Sequence, residues 1–199
     1  MKYTLLLVIA NIAVFVVQYF ISGFTELFAL TPTVALHGAY WQFVTYMFLH
    51  ANATHIMLNM FALALFGMIV ENQLGPRKYL FLYFAAGLGS AVLHVAITGV
   101  SSELLLGASG AVFGVLTAYG ILFPKNWIFV FGGLPLPAIL AVFVFAAVEF
   151  VFGVFSVEPG VANFGHLGGI ITGGAIMLYW KFIKRYRGRP VKHYEFIWE

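Results

Sequence analysis

The chain has 199 residues, 62% of them hydrophobic and 9% charged, with a mean hydropathy of +0.98; this excludes an ordinary soluble domain, in which roughly a quarter of residues are charged. It has no cysteine, which removes disulfides, thiolate metal sites and cysteine nucleophiles, and no aspartate, so any catalytic carboxylate comes from the seven glutamates. The formal net charge of +3 is concentrated in one tail and implies no nucleic-acid partner.

Crossing a hydrocarbon core of ~30 Å takes about 20 apolar residues. In chain order, segments 3–22, 55–74, 78–97, 104–123, 135–152 and 161–183 reach or approach that length. Turn and charge signals separate them: GPRK at 75–78, TGVSSE at 98–103, PKN at 124–126 and SVEPG at 156–160. The opening MKYTLLLVIANIAVFVV has the lysine and apolar core of a secretory signal. No small-x-small cleavage site follows it, and the run continues through Ile21, so it reads as an uncleaved first span. The pattern predicts an all-α membrane protein: a bundle of six transmembrane helices, one domain over residues 1–199, with a short basic C-terminal tail.

Lysine and arginine set the orientation. All ten lie at Lys2, at Arg77 and Lys78, at Lys125, or from Lys181 onward. With six spans these places share one face, which predicts a multi-pass protein of the cell membrane with both termini cytoplasmic. The run KFIKRYRGRPVK reads as a stop-transfer segment in contact with anionic lipid.

That orientation also gives depth. Spans 2, 4 and 6 enter from the outer face, and at 1.5 Å per residue His55, Asn59, Ser109 and His166 fall within about 10 Å of the outer boundary. Three helices therefore bring polar side chains to one level. Taken singly, each has a plain explanation. A membrane serine between glycines is commonly a packing residue, and His55 and Asn59, at i and i+4, could form an interhelical clamp. Ionisable groups inside spans are nevertheless rare and tend to be functional.

Glycine spacing joins the two readings. Gly110 and Gly114 form a small stripe on span 4, while Gly165, Gly169 and Gly173 form another on span 6. Such stripes let helix backbones approach closely, which is what a histidine on one helix needs to reach ~3 Å from a serine oxygen on another. Ser109 near a helix N-terminus also brings free backbone N–H groups. With His55 and Asn59 as further donors, the set has a nucleophile, a base and oxyanion donors without a metal.

These residues resemble the rhomboid family of intramembrane serine proteases. Three motifs match: GASG at 107–110, GHLGG at 165–169 and HIMLN at 55–59. The resemblance implies a six-span rhomboid-like bundle and a Ser-His dyad in which Ser109 is the nucleophile and His166 the general base and acid. His55 and Asn59 become oxyanion donors, and His50 a brace for the first outer loop. Gly107, Gly110, Phe113 and Gly169 are structural residues beside the site. ENQLG, Glu71 to Gly75, resembles a structural E-x-x-x-G. It further implies a water-filled cavity open to the outer face, no cofactor or metal, and single-span or multi-span membrane proteins in the bilayer as substrates, cut near the outer face. The 23–54 loop would lie partly in the bilayer, and span 5 with the 153–160 loop would gate entry. Two positions depart from the family pattern. Trp41-Gln42 stands where many members have Trp-Arg, so a loop-bracing arginine is missing. Phe113 stands where Tyr is frequent, so its ring can stack on His166 but offers no hydroxyl.

Two other functions compete with proteolysis: a six-span transporter and a catalytically inactive rhomboid-like binder of membrane clients. The first predicts ionisable residues along a path through the bilayer, whereas the polar residues here gather on the outer side. The second typically lacks the serine or the histidine, and both are present. Glu149, near the outer end of span 5, is expected to reach outward to interfacial water and to take no part in catalysis.

Overall fold

The computed structural model describes residues 1–130, 133–155 and 162–183. The 156–160 segment of the last outer loop and the basic tail beyond residue 183 lie outside the described residues. Helix α1 (Lys2–Phe20) leads into a long loop with three short helices, α2 (Phe24–Phe28), α3 (Pro32–Leu36) and α4 (Gln42–Thr45). Helices α5 (Ala53–Ala62) and α6 (Met68–Leu74) run as one through a π-helical turn at Leu63–Gly67. Then come α7 (Pro76–Thr98), α8 (Ser109–Leu122), strands β1 (Trp127–Val130) and β2 (Leu134–Pro137), α9 (Ala138–Phe155) and α10 (Asn163–Leu178).

The result is an all-α membrane bundle with one small hairpin. Among the described residues, four helices are long and apolar enough to cross a membrane: Lys2–Phe20, Ala53–Leu74, Pro76–Thr98 and Ala138–Phe155. The other two expected spans are shorter helices, and they are the ones that carry Ser109 and His166. The fourth segment does not begin its helix at 104. Leu105 is instead drawn into a two-way backbone pairing with Leu30, with N–H to O distances of 3.0 and 2.9 Å. Gly107 then turns the chain at φ +125°, a conformation open to glycine. Helix starts at Ser109, and its 14 residues span only ~21 Å.

Small residues hold α8 at the centre. A Cβ on Gly169 would run into the Gly110 carbonyl, and one on Gly173 would come within 2.7 Å of Gly114 Cα. On the neighbouring side, Gly110 packs on Ser90 and Gly114 on Ala86, both from α7. α8 and α10 therefore touch backbone to backbone, as the glycine stripes predict, while α7 reaches α8 through the small side chains of Ser90 and Ala86.

The loop between α1 and α5 is tied down by discrete hydrogen bonds. Gln42, 1% exposed, accepts from Thr31 N–H at 3.1 Å and donates to the Glu26 and Leu27 carbonyls at 3.4 and 3.3 Å. The loop is thus braced without the arginine that the resemblance marks as missing. Tyr46 donates its hydroxyl to Gly87 O at 2.6 Å, and Gly107 N–H donates back to Tyr46 O at 2.9 Å. At the other end of the bundle, buried Glu71 caps α1: its carboxylate accepts from Tyr3 N–H, Thr4 N–H and the Thr4 hydroxyl at 2.8 to 3.1 Å. This gives Glu71 the structural role expected of it.

The hairpin replaces the plain turn expected at 124–126. Trp127 pairs with Pro137 and Val130 with Leu134, and alternation along β1 turns Ile128 and Val130 inward while Trp127 and Phe129 stay exposed.

Candidate active site

Ser109 opens α8, directly after the Leu105 pairing and the Gly107 turn. Across the glycine crossing, α10 presents His166. Ser109 Oγ lies 2.7 Å from His166 Nε2. The structure thus brings the two residues into the hydrogen-bonded contact expected from the spacing of their motifs. Phe113, one turn after Ser109, places its ring 5.0 Å from the imidazole centroid at 38°, and Phe145 of α9 packs on Phe113 in turn.

The expected donors surround the serine. Asn52 caps α5 by accepting from His55 N–H at 2.9 Å, which fixes the first turn. His55 Nδ1 accepts from Ala51 N–H at 3.3 Å, leaving the ring proton on Nε2. That Nε2 edge lies against Gly107: a Cβ there would sit 2.9 Å from Nε2 and 3.7 Å from Ser109 Oγ. Gly107 is therefore required twice, for its positive φ and for the room it leaves the imidazole. Asn59 donates one N–H to His55 O at 2.9 Å and lines a cavity that Ser109 and His166 border, with a second N–H to offer. In the first turn of α8, backbone N–H groups have no partner within the helix.

His50 is fully buried, with its ring edge on His55 at 5.1 Å between centroids. Burial and the neighbouring His55 hold its pKa down at about 4, so it is neutral at pH 7. Its Nε2 accepts from Ala108 N–H at 3.5 Å, just before the serine. Gln18 of α1 clamps the His50 backbone on both sides, donating to its carbonyl at 3.1 Å and accepting from its N–H at 3.0 Å. Sequence reasoning passed over Gln18, although an amide inside an apolar span is itself a signal. It also passed over Asn163.

Glu149 departs from the expectation. It does not reach outward to water: its side chain is 13% exposed, with Oε2 3.1 Å from His166 Nδ1 and 2.8 Å from the Asn163 side-chain nitrogen that donates to it. Three turns of α9 above its start, the carboxylate points inward because Asn163 and His166, three apart on α10, meet it on one helix face.

Ser109 and His166 border a cavity of about 370 Å³ whose walls are otherwise mainly apolar: Leu58, Phe66, Leu116, Ile128, Val130 and Phe145. Two of those side chains come from the hairpin. Walls of this kind suit an apolar group. Among the described residues, no group of three or more His, Cys, Asp or Glu could hold a metal ion.

A family model described as Rhomboid domain matches residues 37–182. The chain is similar to RHOMBOID-like protein 6, mitochondrial, of Arabidopsis thaliana, 32% identical over 133 residues, covering 67% of this chain and 41% of that protein. It is also similar to Rhomboid-type serine protease 2 of Emericella nidulans, 31% identical over 139 residues, covering 70% of this chain and 26% of the relative. A third relative, Inactive RHOMBOID-like protein 8 of Arabidopsis thaliana, is 26% identical over 153 residues, covering 77% of this chain and 42% of its own length. The chain spans less than half the length of each.

Proposed function

Because the chain belongs to the rhomboid family, we propose that it is an intramembrane serine endopeptidase that cuts transmembrane segments of membrane proteins near the outer face. The observation that carries this reading is the 2.7 Å contact between Ser109 Oγ and His166 Nε2 at the edge of an apolar cavity. Ser109 Oγ attacks the scissile carbonyl as His166 Nε2 takes its proton. The oxyanion that forms is met by His55 Nε2–H, the free N–H of Asn59 and backbone N–H at the start of α8. His166 then gives its proton to the departing amine, leaving an acyl-serine, and takes a proton from water in the second half of the reaction.

One relative is named inactive, so the serine and histidine here must be tested directly. Purified protein in detergent, treated with a mechanism-based serine-hydrolase reagent, is expected to carry the adduct on Ser109. Labelling should vanish in His166→Ala, and cleavage of a membrane-spanning reporter should vanish in folded Ser109→Ala. Cleavage retained by Ser109→Ala would sink the assignment. The same reading places both termini on the cytoplasmic side of the cell membrane, supported by the distribution of Lys and Arg. A cysteine at Ser102 should react with an impermeant maleimide outside intact cells, and one at Lys125 should react only after the membrane is opened.

A further inference from the structure

Beyond the pair Ser109 and His166, and resting on their assignment above, we propose that Glu149 is a positioning residue for His166. Its carboxylate selects the tautomer with the proton on Nδ1, turns the Nε2 lone pair toward Ser109, and balances the positive charge that His166 gains on taking the serine proton. The carboxylate stays ionised throughout, and the proton moves only between Ser109, His166 Nε2, the leaving amine and water.

Three observations support this. Oε2 is 3.1 Å from Nδ1, with the two side chains 13% and 14% exposed, so the contact is shielded from water. Nδ1 has no hydrogen-bond partner: Oε2 is near it without meeting hydrogen-bond geometry, and contacts of this kind often tighten only in the complex with substrate. Asn163, itself buried, holds the same oxygen at 2.8 Å from the first residue of α10, which fixes the carboxylate beside the ring. A carboxylate at this depth is costly unless it is partnered, and among the described residues it is the one acidic side chain that lines the cavity. Among the described residues, the other groups that face His166 are Ser109 on α8, at Nε2, the Phe113 ring on its face, and His55 of α5. None of these accepts from Nδ1.

The test is steady-state cleavage of a transmembrane reporter by the full chain, with kcat and KM measured separately across pH. Glu149→Gln is expected to lower kcat on the order of a hundredfold with KM little changed, and to move the acid limb of kcat/KM to lower pH, because the imidazolium loses its counter-charge. Glu149→Asp should restore part of both. A folded Glu149→Gln with normal kcat and an unmoved limb overturns the proposal. So does a kcat loss with an unmoved limb, which is what a merely structural carboxylate would give. Should Glu149→Gln not fold, Asn163→Ala keeps the carboxylate but frees it, and must lower kcat and move the limb the same way; no movement overturns the proposal. Cleavage persisting in Ser109→Ala overturns the nucleophile and this proposal together, whereas normal Glu149→Gln kinetics overturn this proposal alone.

Discussion

Helix α8 has two sides built on opposite rules. Toward α7 and α10 it shows Gly110 and Gly114: its backbone meets that of α10 because side chains are missing, and α7 closes in with only Ser90 and Ala86. Toward the hairpin, α5 and α9 it shows Val112, Phe113 and Leu116, and large side chains stand apart around a cavity. The first side fixes the distance from Ser109 to His166. The second leaves a cavity beside that pair, which under the proposed function takes the substrate. One 14-residue helix thus does both: its close-packed side keeps Ser109 and His166 in register while the other side stays open.

The sharpest way to break this comparison is to put methyl groups on the packed side. Gly173→Ala forces a Cβ to 2.7 Å from Gly114 Cα and its carbonyl, and Gly169→Ala forces one onto the Gly110 carbonyl. Backbone cannot swing away as a side chain can. Each should destabilise the bundle by at least the 1–3 kcal/mol roughly typical of overpacking. Displacing the histidine by even ~1 Å can cost about a hundredfold in rate. The neighbouring Gly174 is the control: a Cβ there meets only Thr117 Cγ2 at 3.6 Å. Gly174→Ala should be neutral or stabilising by up to about 1 kcal/mol, as glycine is a poor helix former. Thermal unfolding in detergent and reporter cleavage read both. Equal effects at 173 and 174 would show that close packing is not what sets the site.

On the open side the largest expected effect is chemical. Asn59→Ala should lower kcat on the order of a hundredfold and leave KM nearly unchanged, because its free N–H meets charge that develops mainly in the transition state. A raised KM with normal kcat would put Asn59 in substrate binding instead. Filling the cavity should do the reverse. Val130→Trp, from the inward face of β1, is expected to weaken cleavage of reporters with a large residue before the cut by roughly tenfold, while a small serine reagent still labels Ser109. Uniform loss across reporters would mean that the hairpin supports the fold rather than shaping the pocket.

The packed side was legible in the sequence, and the open side only in part. Glycines at spacings of four announce close helix contact by themselves, since the 3.6-residue period converts spacing into a stripe. Ser109, His166, His55 and Asn59 could be placed at one depth by the same arithmetic. What the period cannot give is which way a side chain turns once several helices compete for it. Glu149 near a span's end reads as a group bound for water, and Asn163 on another helix turns it inward. The hairpin hid for a different reason. Its strand is four residues long, and WIFV joins an apolar stretch in which alternation cannot be distinguished from a buried helix. Pairing with LPLP across the turn decides the matter, and that pairing is tertiary information.

The smallest effect tests how the rim of the open side is held. Gln42 stands where the family often has arginine, and restoring arginine would ordinarily be counted as a repair. The structure argues the opposite. Gln42 is buried, and its Oε1 is the acceptor for Thr31 N–H. Arginine has five donors and no acceptor, so Gln42→Arg strands that N–H and brings a charge into a site shaped for an amide. Its guanidinium can still donate to the Glu26 and Leu27 carbonyls, which offsets part of the loss. A net destabilisation of about 1 kcal/mol is expected, the usual scale for a buried donor left without its partner. Leu30 pairs with Leu105 next to this bond, so the loosening should reach the turn before Ser109 and show as faster amide exchange over 30–31 and 105–107. If Gln42→Arg instead raises the unfolding temperature and slows exchange there, the rim is held by charge rather than by matched donors and acceptors, and the contrast between the two sides of α8 loses its second half.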